Sequence, residues 1–185
     1  MRRLALAAAG CLLAAGPAAA HAAADLAAVR DTSTVDQTGA RLLRDVVMIH
    51  ASPRAVWKAL TDQAAYRAWV APASFVEFRV GGAVEVAFDP NGKAGDPGNL
   101  KQEIVAYMPE RLIVFRNVQN PGPGGAAYRR LAIVLELAPV DGGTQVSLSQ
   151  VGYRTGPEFD AMYDFFGTHN PEFLADLKAF AEVRR

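Results

Sequence analysis

With 185 residues the chain has room for one ordinary domain, and its 19 basic and 19 acidic side chains leave no basic stripe of the kind nucleic acid requires. Setting aside Arg2 and Arg3 leaves 17 basic against 19 acidic, a net charge of −2, with no polybasic helix for an anionic membrane. The single cysteine, Cys11, falls in the leader described next, so neither disulfides nor cysteine metal ligands are expected beyond it.

Residues 1–22 have the form of a secretory signal. Arg2 and Arg3 make a positive start, residues 4–15 an apolar core, and Gly16-Pro17 a helix break ahead of the small residues Ala18, Ala20 and Ala22. Cleavage is expected near Ala20 or Ala22, and the mature protein is expected to be periplasmic or secreted. The apolar run is shorter than the ~20 residues a spanning helix needs, so no stable membrane anchor is expected. A lipidated Cys11 is not expected either, because Ala8-Ala9-Gly10 precedes it without a leucine and the apolar run continues past it.

Residues 23–43 form an N-terminal lead, alanine-rich and then polar, able to make a strand and turning at Asp36-Gln37-Thr38-Gly39. The domain proper is expected over 44–185. Residues 45–51 alternate as a strand, with Val47, Ile49 and Ala51 on one face. Ser52-Pro53 then starts a helix as cap and first residue, and Val56, Trp57 and Leu60 recur at helical spacing. A second short helix carries Tyr66 and Trp69 and ends before Pro72. From Phe75 the period changes to two: residues 75–80 and 83–88 read as a hairpin closed by Gly81-Gly82.

Residues 89–98 are a loop on turn chemistry. Strands are expected at 102–107, 112–117, 128–137 and 144–153, mostly separated by glycine or proline, as in an antiparallel meander. Two aromatic stripes follow, Phe159, Met162, Tyr163 and Phe166, then Phe173, Leu174, Leu177 and Phe180. Residues 167–171 separate them, so the last helix is expected to be broken or kinked there.

Particular words stand in this order: Ile49-His50-Ala51-Ser52-Pro53 with Val56-Trp57 and Leu60-Thr61-Asp62; Trp69 and Pro72; Arg79-Val80-Gly81-Gly82; Ile104, Tyr107 and Pro109; and Gly143-Thr144-Gln145-Val146 before Gly152. On them the chain resembles the START-like or Bet v 1-like superfamily, and within it the bacterial proteins related to the activator of the Hsp90 ATPase. The resemblance implies an α+β helix-grip fold, a curved antiparallel sheet of six or seven strands around a long C-terminal helix, with two short helices after the first strand. It also implies an apolar cavity between sheet and helix, used elsewhere in the superfamily for lipids, sterols or polyketides. The family usually opens its last helix on Gly-Trp, whereas this chain reads Gly167-Thr168-His169-Asn170-Pro171, so the space that tryptophan fills must be filled differently here.

No catalytic motif, cofactor loop or metal set is expected. Gly92-Lys93-Ala94 lacks the flanking residues of a phosphate loop, which speaks against an ATPase. Only His50 and His169 remain outside the leader, too few for a histidine zinc site. The loop carboxylates Asp89 and Asp96 lack the closing glutamate of a calcium loop, and a solvated turn is the plainer reading. Asp160 and Asp164, one turn apart, fit the wet face of a helix better than an acid–base pair.

The expected pocket lining is Trp69, Phe75, Tyr107, Phe115, Tyr163 and Phe166, with His169 and Tyr163 offering polar contacts at its mouth. Plain core packing and a solvent-facing loop histidine are the competing readings. The expected function is an exported protein binding a small hydrophobic molecule. A cyclase- or hydrolase-type enzyme using the same pocket and a chaperone-like interaction module are the alternatives.

Overall fold

The computed structural model describes residues 25–87, 89–121 and 124–183, and the expected signal segment lies outside the described residues. A 3-10 turn, Leu26–Ala28, leads into β1 (Val29–Asp31), β2 (Thr34–Val35) and β3 (Arg41–Ile49). Then come α1 (Pro53–Thr61), α2 (Gln63–Trp69), β4 (Ser74–Val76), β5 (Ala83–Val86), β6 (Leu100–Met108) and β7 (Leu112–Gln119). A single turn, α3 (Gly125–Tyr128), precedes β8 (Ala132–Val140), β9 (Gly143–Val151) and the long α4 (Pro157–Val183). The strands form one antiparallel sheet in the order β1-β3-β9-β8-β7-β6-β5-β4, with β2 also on β3. This is the expected α+β helix-grip fold.

Local chemistry accounts for the helical entry. The Ser52 hydroxyl accepts the Ala55 N–H at 3.3 Å with Pro53 at the first helical position, and the Asp62 carboxylate, where α1 ends, accepts the Ala65 N–H that starts α2. Register shifts in β6 at Lys101/Gln102 and Ile104/Ala106 mark bulges, which bend a strand and raise its twist.

Four expectations change. The strand count is nine rather than six or seven, because the lead pairs with β3: Val29 lies opposite Val47, Asp31 opposite Asp45, and Ser33 accepts the Arg44 N–H. The hairpin at 75–88 keeps only β4 and β5. Gly82 lies so close under Glu77 that an added Cβ would meet its carbonyl oxygen at 2.0 Å, so residues 77–82 form a tight turn instead of strand. The strand expected from residue 128 starts at Ala132, after α3.

Finally, α4 is unbroken over 27 residues despite the internal Pro171. Met162, Phe166, Asn170, Leu174, Leu177 and Ala181 are all buried on one continuous stripe. Packing that stripe outweighs the ~3 kcal/mol an interior proline costs.

The core lies between α4 and the inner sheet face in two apolar groups. One gathers Val47, Ile49, Val56, Leu60, Trp69, Leu135, Leu148, Leu174 and Leu177 near α1 and α2; the other gathers Leu43, Tyr128, Leu131, Phe159, Met162 and Phe166 toward α3.

Candidate functional site

Alternation along the strands decides which side chains face α4. On β3 the inward series is Leu43, Asp45, Val47, Ile49; on β7 it is Ile113, Phe115, Asn117; on β9 it is Val146, Leu148, Gln150. Each apolar series thus contains one polar residue, and all three are buried. α4 adds Asn170, whose amide donates to the Gln150 side-chain oxygen at 3.3 Å, while Gln102 on β6 donates to the Asn117 side-chain oxygen at 3.3 Å. A polar row, interrupted by Leu131 and by Ile133 of β8, therefore crosses the inner face between the two apolar groups. Among the described residues, four of its buried atoms or those beside it have no hydrogen-bond partner: Asp45 Oδ2, Asn117 Nδ2, Gln150 Nε2 and the Tyr153 hydroxyl.

At the β1–β3 edge the inner layer opens into a groove of about 540 Å³ against α4. Leu26, Val29, Leu43 and Pro171 supply its apolar walls; Asp31, Asp45 and Asp164 supply its carboxylates. Asp45, 2% exposed, sits opposite Asp31 in the ladder. Its pKa is pushed up to about 6, first by burial and then by the Asp31 charge. Asp31 moves the other way: the Ser33 hydroxyl and N–H hold its carboxyl below the usual range. Beside the groove Arg41 bridges to Asp160 at 2.8 Å, donates to the Arg154 carbonyl and lies 4.9 Å from the Tyr163 ring centroid. A second hollow, about 590 Å³, lies where α1 begins and β8 turns into β9. Its histidine, His50, already contacts the Gly142 carbonyl there at 3.3 Å.

The residues singled out from the sequence are dispersed. Trp69, 4% exposed, donates its indole N–H to the Ala59 carbonyl and packs on Phe173, joining α2 to α4. Phe115 is buried in the same apolar group. Phe75 lies under the Arg67 guanidinium. Tyr107 is 37% exposed and packs with Trp57 and Phe78 against α1. Phe166 stacks on Tyr128, and Tyr163 meets Tyr153 and lines the groove. His169 is exposed, 2.7 Å from Glu172 and against Phe165, away from the groove lining.

Sequence reasoning passed over Asp45, Asn117, Gln150 and Asn170. The signal for three of them was present: a polar residue at an inward position of an otherwise apolar alternation. Asn170 lies within residues 167–171, expected from the sequence to be a break, and is instead buried in the helix and bonded to Gln150.

A curved antiparallel sheet gripping one long C-terminal helix is the architecture of a START-like domain. Residues 50–182 match the family described as Activator of Hsp90 ATPase homolog 1-like protein, and the chain belongs to that family. Its fold is similar to the Aha1 dimer from Colwellia psychrerythraea, at 20% identity and TM-score 0.63 over 77% of this chain and 96% of that one. Protein MLL2253 from Mesorhizobium loti is similar at 21% identity and TM-score 0.63, over 78% and 99%. CalU16 from Micromonospora echinospora is similar at 20% and 0.58, over 83% of each. A comparison with curated proteins finds no match.

Proposed function

We propose that this protein is exported and holds a small, largely apolar molecule with a polar end between the sheet and α4. The observation that carries this reading is the set of buried polar atoms without partners along the inner layer. Folded proteins pair the great majority of such groups, and each one left unpaired costs about 1–3 kcal/mol. A molecule bound in the edge groove would pair Asp45 Oδ2, the one of these atoms whose residue lines that groove, while covering the apolar walls beside it. Burying ~300 Å² of apolar ligand surface gains roughly 7 kcal/mol, of which association removes ~4 kcal/mol or more. Tight binding therefore depends on the polar row rather than on the aromatic residues alone.

Native mass spectrometry of the purified mature protein tests the reading. A small molecule should be retained by the wild type and lost from Gly167→Leu, which puts a bulky side chain into the groove; a bare polypeptide mass under gentle desolvation, with no uptake from a lipid extract, would count against it. Export is tested by cell fractionation with N-terminal sequencing, which should place the protein outside the cytoplasm with its new N-terminus just after Ala20 or Ala22. The cyclase- or hydrolase-type alternative rests on Asp45, a buried carboxyl whose pKa of about 6 suits proton transfer. A retained molecule whose mass changes on incubation would favour that alternative over simple binding.

A further inference from the structure

We propose that the groove between α4 and the β1–β3 edge receives the ammonium group of an organic amine, its apolar body lying along Leu26, Val29, Leu43 and Pro171. This deepens the ligand-binding reading above and rests on it.

The groove offers acceptors and no cation. Asp45 Oδ2 is buried without a partner among the described residues. Asp31 faces it from β1, kept ionised by the Ser33 N–H at 2.7 Å, and Asp164 stands on the α4 wall.

No lining residue is basic. Of the arginines nearest in sequence, Arg41 is committed to Asp160 and the Arg154 carbonyl and Arg44 to Ser147 and Glu136, while Arg30 alternates with the lining residues Val29 and Asp31 and so belongs to the other face of the sheet. A carboxylate or phosphate ligand would face three carboxyl groups here, whereas a group with several N–H donors and a positive charge matches what is displayed. A bare metal ion fits less well. Among the described residues no three His, Cys, Asp or Glu side chains are grouped as metal ligands would be. The apolar walls need a carbon body to cover them.

The charges facing Asp45 also predict how binding depends on pH. Burial and the Asp31 charge suppress ionisation of Asp45 in the free groove and put its pKa at about 6, and Asp164 on α4 lines the same groove. An ammonium takes the place of that proton. Affinity should be highest above pH 6 and fall below it, by about tenfold from about pH 7.5 to about pH 5.

Isothermal titration calorimetry of the mature protein with octylammonium, 1-octanol and octanoate, below their micelle concentrations, tests this. Octylammonium should bind about tenfold or more tighter than octanol at about pH 7.5, with octanoate weakest, and Asp45→Asn should reduce that preference to about twofold. Gly167→Leu, which places a bulky side chain in the groove, should weaken all three. Equal or tighter binding of octanol or octanoate overturns the amine assignment and leaves apolar ligand binding standing. A preference for the amine that survives Asp45→Asn overturns the site. Binding of none of the three removes both the assignment and the reading beneath it.

Discussion

Ionising Asp45 places a negative charge beside Asp31 in a site nearly closed to water, and both effects oppose it. A carboxyl whose folded pKa of about 6 exceeds its ordinary 3.8 binds a proton more tightly in the native state. Its contribution to stability is therefore complete below the unfolded pKa and disappears as pH rises through 6, a loss of at most about 3 kcal/mol. Asp45→Asn carries no such dependence. Urea unfolding of wild type and variant at about pH 4.5 and about pH 7.5 should show the variant gaining on the wild type as pH rises. Parallel pH profiles would mean that Asp45 titrates normally. Glu85 behaves in the opposite sense. Burial alone would raise its pKa, but Asn99, the Gly95 N–H and Lys101 outweigh burial and hold it low. Its contribution is present above the ordinary glutamate pKa and is lost as pH falls below it. Glu85→Ala should cost about 1–3 kcal/mol in unfolding free energy at neutral pH, because the buried Asn99 amide loses a charged acceptor.

Elements depend on contacts that local sequence does not display. The loop after β5, a solvated turn by its composition, is tied down by Glu85 and by Gln119, whose amide donates to the Asp96, Pro97 and Asn99 carbonyls. In α4, Gly167 and Pro171 are four residues apart, the spacing at which a proline ring crowds a carbonyl, and locally this reads as a helix end. The buried stripe on both sides keeps the helix whole. Its C-terminal end is fastened by Lys178, which donates to the Met48 carbonyl, and by Glu182, which accepts the His50 N–H. A Cβ on Gly167 would meet nothing within 4 Å. Gly167→Ala should therefore stabilise the protein by about 0.5–1 kcal/mol, measurable as a raised unfolding midpoint. A lowered midpoint would show that the helix is strained at this point. The β8–β9 turn is less forgiving: a Cβ on Gly143 would lie 2.1 Å from the Ile49 carbonyl oxygen, so Gly143→Ala should push β9 away from β3 and lower that midpoint.

Across the whole molecule, α4 packs directly on the sheet, and Trp69 is the side chain that ties α1 and α2 to α4. It touches Tyr66, Phe173 and Phe180 and donates to α1 through Ala59. Trp69→Ala should cost about 3–5 kcal/mol, seen as a large fall in the thermal midpoint. A loss under about 1 kcal/mol would mean that α2 and α4 do not depend on one another.

Much of this was legible in advance. Period-two alternation, the Ser52-Pro53 start and the closing aromatic stripes determine which segments become strand or helix, because each is a local property of the chain. What only the tertiary structure decided is which side chains meet. Tyr107 and Phe115 lie on neighbouring strands, yet the register and the bulge at Ile104/Ala106 send one to the rim beside Trp57 and the other into the core. Asp45, Asn117, Gln150 and Asn170 come from four different elements. Their burial, and the bond between Asn170 and Gln150, exist only once β3, β7, β9 and α4 are packed, since burial and the pairing of strands belong to the assembled layers and not to any one segment.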